Sequence, residues 1–176
     1  MQKLTCISRP RRFGKSFAAK MLCAYYDKTC DSSQLFGDLA IAADGGYQRH
    51  LNQYDVIYLD MTGIIGEAAA GDRVAYVKRN IIRELKEQYP QLEVVEGFVA
   101  TLANAVEIMG NKFIMIIDEW DAPIREAGSR PDLQREYLEF LRSLFKNSAA
   151  TDKIFAGAYM TGILPIKKDG SQSAIS

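Results

Sequence analysis

The sequence predicts an α/β fold, a mostly parallel sheet sandwiched between two helical layers, and three observations carry that expectation. Short apolar or β-branched runs at 4–7, 55–59, 113–118 and 154–160 alternate with longer segments whose apolar residues recur at three-to-four spacing. Such alternation gives parallel strands joined by crossover helices, with both sheet faces covered. Two of the four strands end in residues with a chemical use: Gly14-Lys15-Ser16 follows the first, and Asp118-Glu119 closes the third. Finally, 176 residues with 48% hydrophobic content suffice for one domain with a substantial core.

The elements follow in order. The first strand, 4–7, leads into a loop at 8–16 and then a helix at 15–27. Residues 28–53 carry turn signals such as Asp31-Ser32-Ser33 and Asp44-Gly45-Gly46 and are expected to be a connecting region. Residues 55–59, flanked by Tyr54 and Asp60, are the second strand, and 63–71 is rich in small residues and expected to be a loop. Val74, Val77, Ile81 and Leu85 then mark an amphipathic helix ending near Tyr89-Pro90. Phe98, Leu102, Val106 and Met109 mark another, stopped by Gly110. After the third strand, Asp121 with Ala122-Pro123 signals a helix start. Pro131 opens a further helix striped by Leu133, Tyr137, Phe140, Leu141 and Leu144. The last strand, 154–160, runs into Thr161-Gly162, and the polar stretch 167–176 supplies no closing element, so the fold is expected to be incomplete at that end.

The loop after the first strand has the makings of a phosphate cradle. Backbone N–H groups of Arg12, Phe13, Gly14, Lys15, Ser16 and Phe17 would face a β-phosphate, Gly14 allowing close approach and the helix N-terminus adding partial positive charge. Pro10 has no N–H and can only shape the loop. Lys15 would bridge β- and γ-phosphates as a point charge, and the Ser16 hydroxyl would ligate Mg2+. A complete Walker pattern also has a glycine five residues before Gly14, where this chain has Arg9. A surface turn with a capping serine is the plain alternative, but it leaves a basic loop after a buried strand unexplained.

Asp118 would hold Mg2+ through a coordinated water, while Glu119 would orient and polarise the attacking water. Thr161 is a candidate γ-phosphate sensor, although a threonine at a strand end is common. Asp121 could cap the next helix, pair with Arg125 or approach the metal, and the cap is the favoured role. His50 reads as a loop residue and Trp120 as a packing residue. Lys78, Arg79, Arg83 and Lys86, interspersed with Glu84 and Glu87, read as a solvated helix face.

Composition excludes several classes. Lys plus Arg and Asp plus Glu each number 22, so no global field draws the chain to nucleic acid or an anionic membrane. Cys6, Cys23 and Cys30 are odd in number and match no zinc spacing, which suits a reducing cytoplasm. No apolar run approaches a membrane span. Residues 1–26 contain six Lys or Arg and no acid, like a transit peptide, but removing them would discard the phosphate loop.

Ser8-Arg9-Pro10-Arg11-Arg12-Phe13-Gly14-Lys15-Ser16 resembles the arginine-rich phosphate loop of the bacterial AAA-ATPase-like family, and that loop accounts for the missing first glycine. Ile117-Asp118-Glu119-Trp120-Asp121-Ala122-Pro123-Ile124 is similar to the family's Ile-Asp-Glu-Tyr-Asp-x-Pro-Ile segment. Leu35-Phe36-Gly37-Asp38-Leu39 and Thr161-Gly162 also fit. The resemblance implies a P-loop ATPase of the additional-catalytic-glutamate type with sheet order 5-1-4-3-2. Strand five is absent here, which would leave strand one an exposed edge. Members usually begin with a segment ahead of the first strand and continue into a PD-(D/E)XK nuclease-like domain. The chain, 1–176, is therefore expected to be a truncated ATPase domain to which nuclease activity cannot be assigned. Nucleic acid enters only by that analogy, and a homo-oligomer is a possibility.

Three functions compete at this stage. The leading one is a Mg2+-dependent ATPase that drives or gates an attached effector domain. The second is an ATP-binding switch with little or no hydrolysis, which fits the lack of a certain arginine finger, Arg125 and Arg130 being candidates. The third, a small-molecule phosphotransferase, is disfavoured by Glu119 after the metal aspartate.

Overall fold

The computed structural model describes residues 4–146 and 148–164. Strands β1 (Leu4–Ser8), β2 (Asp55–Asp60), β3 (Phe113–Asp118) and β4 (Phe155–Gly162) form one all-parallel sheet in the order β1-β4-β3-β2. The order is the expected one, with β1 at an edge of the described sheet. Helices α1 (Lys15–Tyr26), α2 (Ser33–Phe36) and α3 (Tyr47–His50) lie between β1 and β2. Helices α4 (Met61–Glu67), α5 (Arg73–Gln88) and α6 (Phe98–Met109) lead to β3, and α7 (Ala122–Ala127), α8 (Pro131–Phe145) and α9 (Ser148–Ile154) lead to β4.

β3 is apolar until its last residue and buried throughout, as a strand covered on both faces must be. Its side chains alternate between two layers. Ile114 and Ile116 meet Ala19, Leu22, Cys23 and Tyr26 of α1, whereas Phe113, Met115 and Ile117 join the stripes of α5, α6 and α8. Each such aliphatic or aromatic side chain contributes about 1.5–3 kcal/mol on burial, so the central strand is the firmest part of the sandwich. Asp118 continues the alternation on the α1 side. On β4 a register shift opposite Phe113/Ile114 interrupts the alternation, so Ala156 and Tyr159 both pack with the α1 side, and Thr161, two residues after Tyr159, follows it.

Three expectations about elements need correction. Residues 28–53 are not a plain connection, because α2, α3 and a 3-10 turn at Ala40–Ala43 enclose a satellite cluster of Tyr25, Phe36, Tyr47 and Leu51. The small-residue stretch expected as a loop is largely α4. Its start is fixed by Asp60, whose carboxylate accepts from the N–H groups of Thr62 and Gly63, a cap that outweighs the low helix propensity of its glycines. Ile154 ends a further helix, α9, rather than opening the last strand, and β4 extends through Thr161 and Gly162. His50 ends α3, with Nδ1 2.7 Å from the Tyr54 hydroxyl. The stretch 167–176 lies outside the described residues.

Because all strands run the same way, their C-terminal ends share one rim. Asp60 is opposite Asp118, and Ser8 is opposite Gly162. The connection from β1 crosses to the far edge of the sheet, leaving the loop of 9–14 beside the ends of β4 and β3, where ligands of open parallel sheets bind.

Candidate functional site

The loop after β1 is anchored at its base by the β4 exit. The Arg9 N–H donates to the Gly162 carbonyl at 3.1 Å, and the Ser8 hydroxyl donates to the Ile163 carbonyl at 2.8 Å. Arg12 (φ 68°) and Gly14 (φ 73°) adopt left-handed conformations around Phe13, the kind of alternation that curves successive N–H groups into an anion-binding concavity. At Arg12 this costs about 1–2 kcal/mol of strain. α1 starts at Lys15, and the first N–H to bond back is that of Ala18, to Gly14 at 3.0 Å. Helix geometry therefore leaves the N–H groups of Lys15, Ser16 and Phe17 free of intrahelical partners.

Lys15 is 6% exposed. Its ammonium donates to the Pro10 carbonyl at 3.0 Å and stands 3.6 Å from Glu119 Oε1. The loop thus folds over its own lysine and turns that charge toward the end of β3.

The two carboxylates there diverge. Asp118, 3% exposed, receives the Thr161 hydroxyl proton at Oδ1 and lies 3.5 Å from the Tyr58 hydroxyl at Oδ2. Burial, reinforced by Asp118 and then Asp60, pushes the Tyr58 phenol up to about 12. Glu119 takes a left-handed backbone (φ 52°), rare outside glycine and asparagine, which swings its side chain off the strand line. Its N–H donates to Thr161 Oγ1 at 3.3 Å, so one hydroxyl bridges both acidic residues. The Glu119 carboxylate is held on the other side by Arg125 of α7, whose Nη2 lies 2.8 Å from Oε2.

Asp121 occupies the N-cap position of α7 but makes no capping bond, which corrects the favoured reading of that residue. Instead its fully buried carboxylate takes Arg125 Nε at 3.1 Å and the N–H groups of Ile163 and Leu164 at 3.2 and 2.9 Å, all at Oδ2. A charged donor and two amides stabilise the carboxylate more than one neutral capping bond would. Gly162 makes this possible, since a Cβ there would lie 2.6 Å from the Trp120 ring and 2.7 Å from Asp121 Oδ1. Trp120 is a packing residue, 3% exposed, and its carbonyl accepts the buried Tyr137 hydroxyl at 2.7 Å.

The structure thus gathers Lys15, Asp118, Glu119 and Thr161. Arg12, Phe13, Ser16 and Phe17 are exposed at the rim, with Phe13 and Phe17 at 67% and 70%, so neither aromatic ring is packed into the core. Tyr58 was not legible as a site residue, and Arg125 was legible as a partner of Asp121 four positions away and as an arginine-finger candidate, but not as a partner of Glu119. A cavity of about 530 Å3 lies elsewhere, between β2 and α5, and neither Lys15, Asp118 nor Glu119 lines it. No cluster of three or more His, Cys, Asp or Glu suited to a metal exists among the described residues. None of their helices is long and apolar enough to cross a membrane.

Comparison with known proteins places this chain in a family. The family described as Predicted AAA-ATPase matches residues 1–171. An uncharacterized protein of the vnfD 5′ region in Azotobacter chroococcum mcd 1 is 25% identical over 164 residues, which are 92% of this chain and 31% of the relative. The chain therefore spans about a third of that relative's length. No solved structure gives a significant match.

Proposed function

The chain belongs to the predicted AAA-ATPase family, and from that premise we propose that the rim formed by β1, β3 and β4 binds ATP with Mg2+ and hydrolyses it. The observation that carries the reading is the buried Lys15 ammonium, held by a backbone carbonyl and a carboxylate at the open end of α1. An incoming phosphate would replace those partners with a stronger one, and the unpaired N–H groups of the first turn would meet its oxygens.

The donor set suits the metal. Ser16 Oγ and the Asp118 carboxylate are hard oxygen ligands of the kind Mg2+ takes alongside phosphate and water. When bound, the ion would neutralise charge on the phosphates. Glu119 would accept a hydrogen bond from the attacking water, and Thr161, which already bridges Asp118 and the Glu119 N–H, would keep the two carboxylates apart. Arg12, Phe13, Gly14 and Phe17 would contribute backbone N–H groups. Residues 1–176 would act as one ATPase domain, gating an effector segment in the longer relatives.

One observation favours the second reading, an ATP-held switch. Glu119 lies between Lys15 and Arg125, so its carboxylate already has two cationic neighbours. Phosphate release, followed with and without Mg2+ alongside ATP binding, separates the two. Glu119→Gln should leave affinity nearly intact and slow release about a hundred- to ten-thousand-fold, as expected for a group acting mainly in the transition state. Equal rates in wild type and variant would remove Glu119 from the chemistry. Tight binding without turnover in the wild type would leave the switch.

A further inference from the structure

Asp121 and Arg125 fall outside the phosphate loop and the acid pair, yet Asp121 Oδ2 gathers three donors at this rim, Arg125 and the Ile163 and Leu164 amides. Arg125 reaches two carboxylates at once, Glu119 through Nη2 at 2.8 Å and Asp121 through Nε at 3.1 Å. A guanidinium is suited to this because its donors form a rigid planar fork. Asp121 is 0% exposed, and its Oδ2 is fixed by backbone N–H groups of Ile163 and Leu164. Those residues leave β4 directly after Gly162, which is itself bonded to the start of the phosphate loop at Arg9.

We infer that Arg125 is a positioning residue for Glu119, and that Asp121 ties its position to the backbone leaving β4. The inference rests on the ATPase reading above. The reasoning is mechanical. Glu119 has two cationic neighbours in the described state, Lys15 and Arg125. A bound nucleotide draws Lys15 onto its phosphates, and Arg125 alone then keeps the Glu119 carboxylate where a water can meet it. Arg125 does not touch the phosphates in this scheme. Its own orientation depends on Asp121, and that of Asp121 on the 163–164 backbone. A displacement of the chain after β4 therefore reaches Glu119 through two side chains, and it also reaches the base of the loop after β1 through the Ser8–Ile163 and Arg9–Gly162 bonds. This gives the site a route by which the chain leaving β4 regulates turnover through Glu119.

The test uses the whole chain with Arg125→Gln, Arg125→Lys, Asp121→Asn, Glu119→Gln and the Arg125→Gln/Asp121→Asn and Arg125→Gln/Glu119→Gln pairs, reading ATP affinity and single-turnover phosphate release. Arg125→Gln should slow release on the order of ten- to a hundred-fold while weakening affinity by no more than about three-fold, since misplacing a reacting group by about 1 Å can cost a hundred-fold. Arg125→Lys should recover part of that rate. Asp121→Asn, which keeps an oxygen for the two amides but loses the charge, should slow release, and adding it to Arg125→Gln should cost little more. Wild-type release in Arg125→Gln with slow release in Glu119→Gln would overturn the inference and leave the ATPase reading standing. Equal rates in Glu119→Gln and wild type would end both.

If the wild type binds without turning over, affinity becomes the readout. Arg125→Gln should then weaken ATP binding about three-fold, because Glu119 is left to compete for Lys15, and the Arg125→Gln/Glu119→Gln pair should restore it. Strictly additive effects would overturn the inference, and a wild type that binds no nucleotide would remove its foundation.

Discussion

The Lys15 ammonium stands 3.6 Å from Glu119 Oε1, so the cation assigned to phosphate and the carboxylate assigned to water already face each other. On the proposed reading, phosphate binding would break or lengthen that contact, exchanging a single carboxylate for a more highly charged partner. Lys15→Ala should therefore reduce affinity for a fluorescent ATP analogue by at least about ten-fold while leaving the fold intact by circular dichroism, charge-assisted contacts being worth about 1.5–3 kcal/mol. An affinity matching the wild type would remove the phosphate-loop assignment.

Gly162 should not tolerate a side chain. Its φ lies outside the range that demands glycine, so the constraint is space alone: the added Cβ would lie 2.6 Å from Trp120 Cδ1 and Nε1 and 2.7 Å from Asp121 Oδ1. Trp120 is packed in the main core and Asp121 is fully buried, so neither can swing away as a surface side chain would. Gly162→Ala should lower stability by about 1–3 kcal/mol, the usual cost of overpacking. Urea denaturation read by Trp120 fluorescence measures it, and a midpoint equal to the wild type would show that the Trp120–Asp121 corner yields.

How much of this was legible follows from the range of each interaction. β3 and the turn that opens α1 were readable because an all-apolar strand and a Gly-Lys-Ser turn are local patterns, and the sheet order came with the family resemblance. The α4 helix was missed because its small residues argue for a loop, while the deciding term is the Asp60 cap just outside them. The capping role favoured for Asp121 failed for a different reason. Two of its partners, the Ile163 and Leu164 amides, lie some forty residues away in sequence, and no local window contains them. Tyr58 likewise meets Asp118 only through the neighbouring strand.

Stability should fall on the alkaline side. Burial, then Asp121, raises the Cys6 thiol from 9.0 to about 11, and burial, then Asp27, does the same for Cys23. Tyr58 rises from 10.0 to about 12. Between the unfolded and folded values the unfolded chain has released a proton that the folded chain retains, so stability is fully present below pH 9 and declines as pH rises from 9 toward 12. Thermal melts in reducing buffer across that range should show a falling Tm. Cys23→Ala should flatten the early part of the decline, and an unchanged slope would mean that these thiols do not govern it.

The Thr161 hydroxyl separates two roles that the sequence leaves superimposed. As a phosphate sensor it would matter only with nucleotide bound. In the structure it donates to Asp118 Oδ1 and accepts from the Glu119 N–H, in a fully buried position, so it also supports the site before any ligand arrives. Thr161→Val keeps the shape and removes both bonds, leaving a buried carboxylate oxygen and a backbone N–H short of a partner. The nucleotide-free protein should lose about 1–3 kcal/mol, the cost of unsatisfied buried polar groups, and Thr161→Ser should recover most of it. Denaturant midpoints without nucleotide decide the matter. A Val variant as stable as wild type but slower in phosphate release would assign Thr161 to the bound phosphate alone, whereas loss of stability reversed by serine makes it the brace between the two carboxylates.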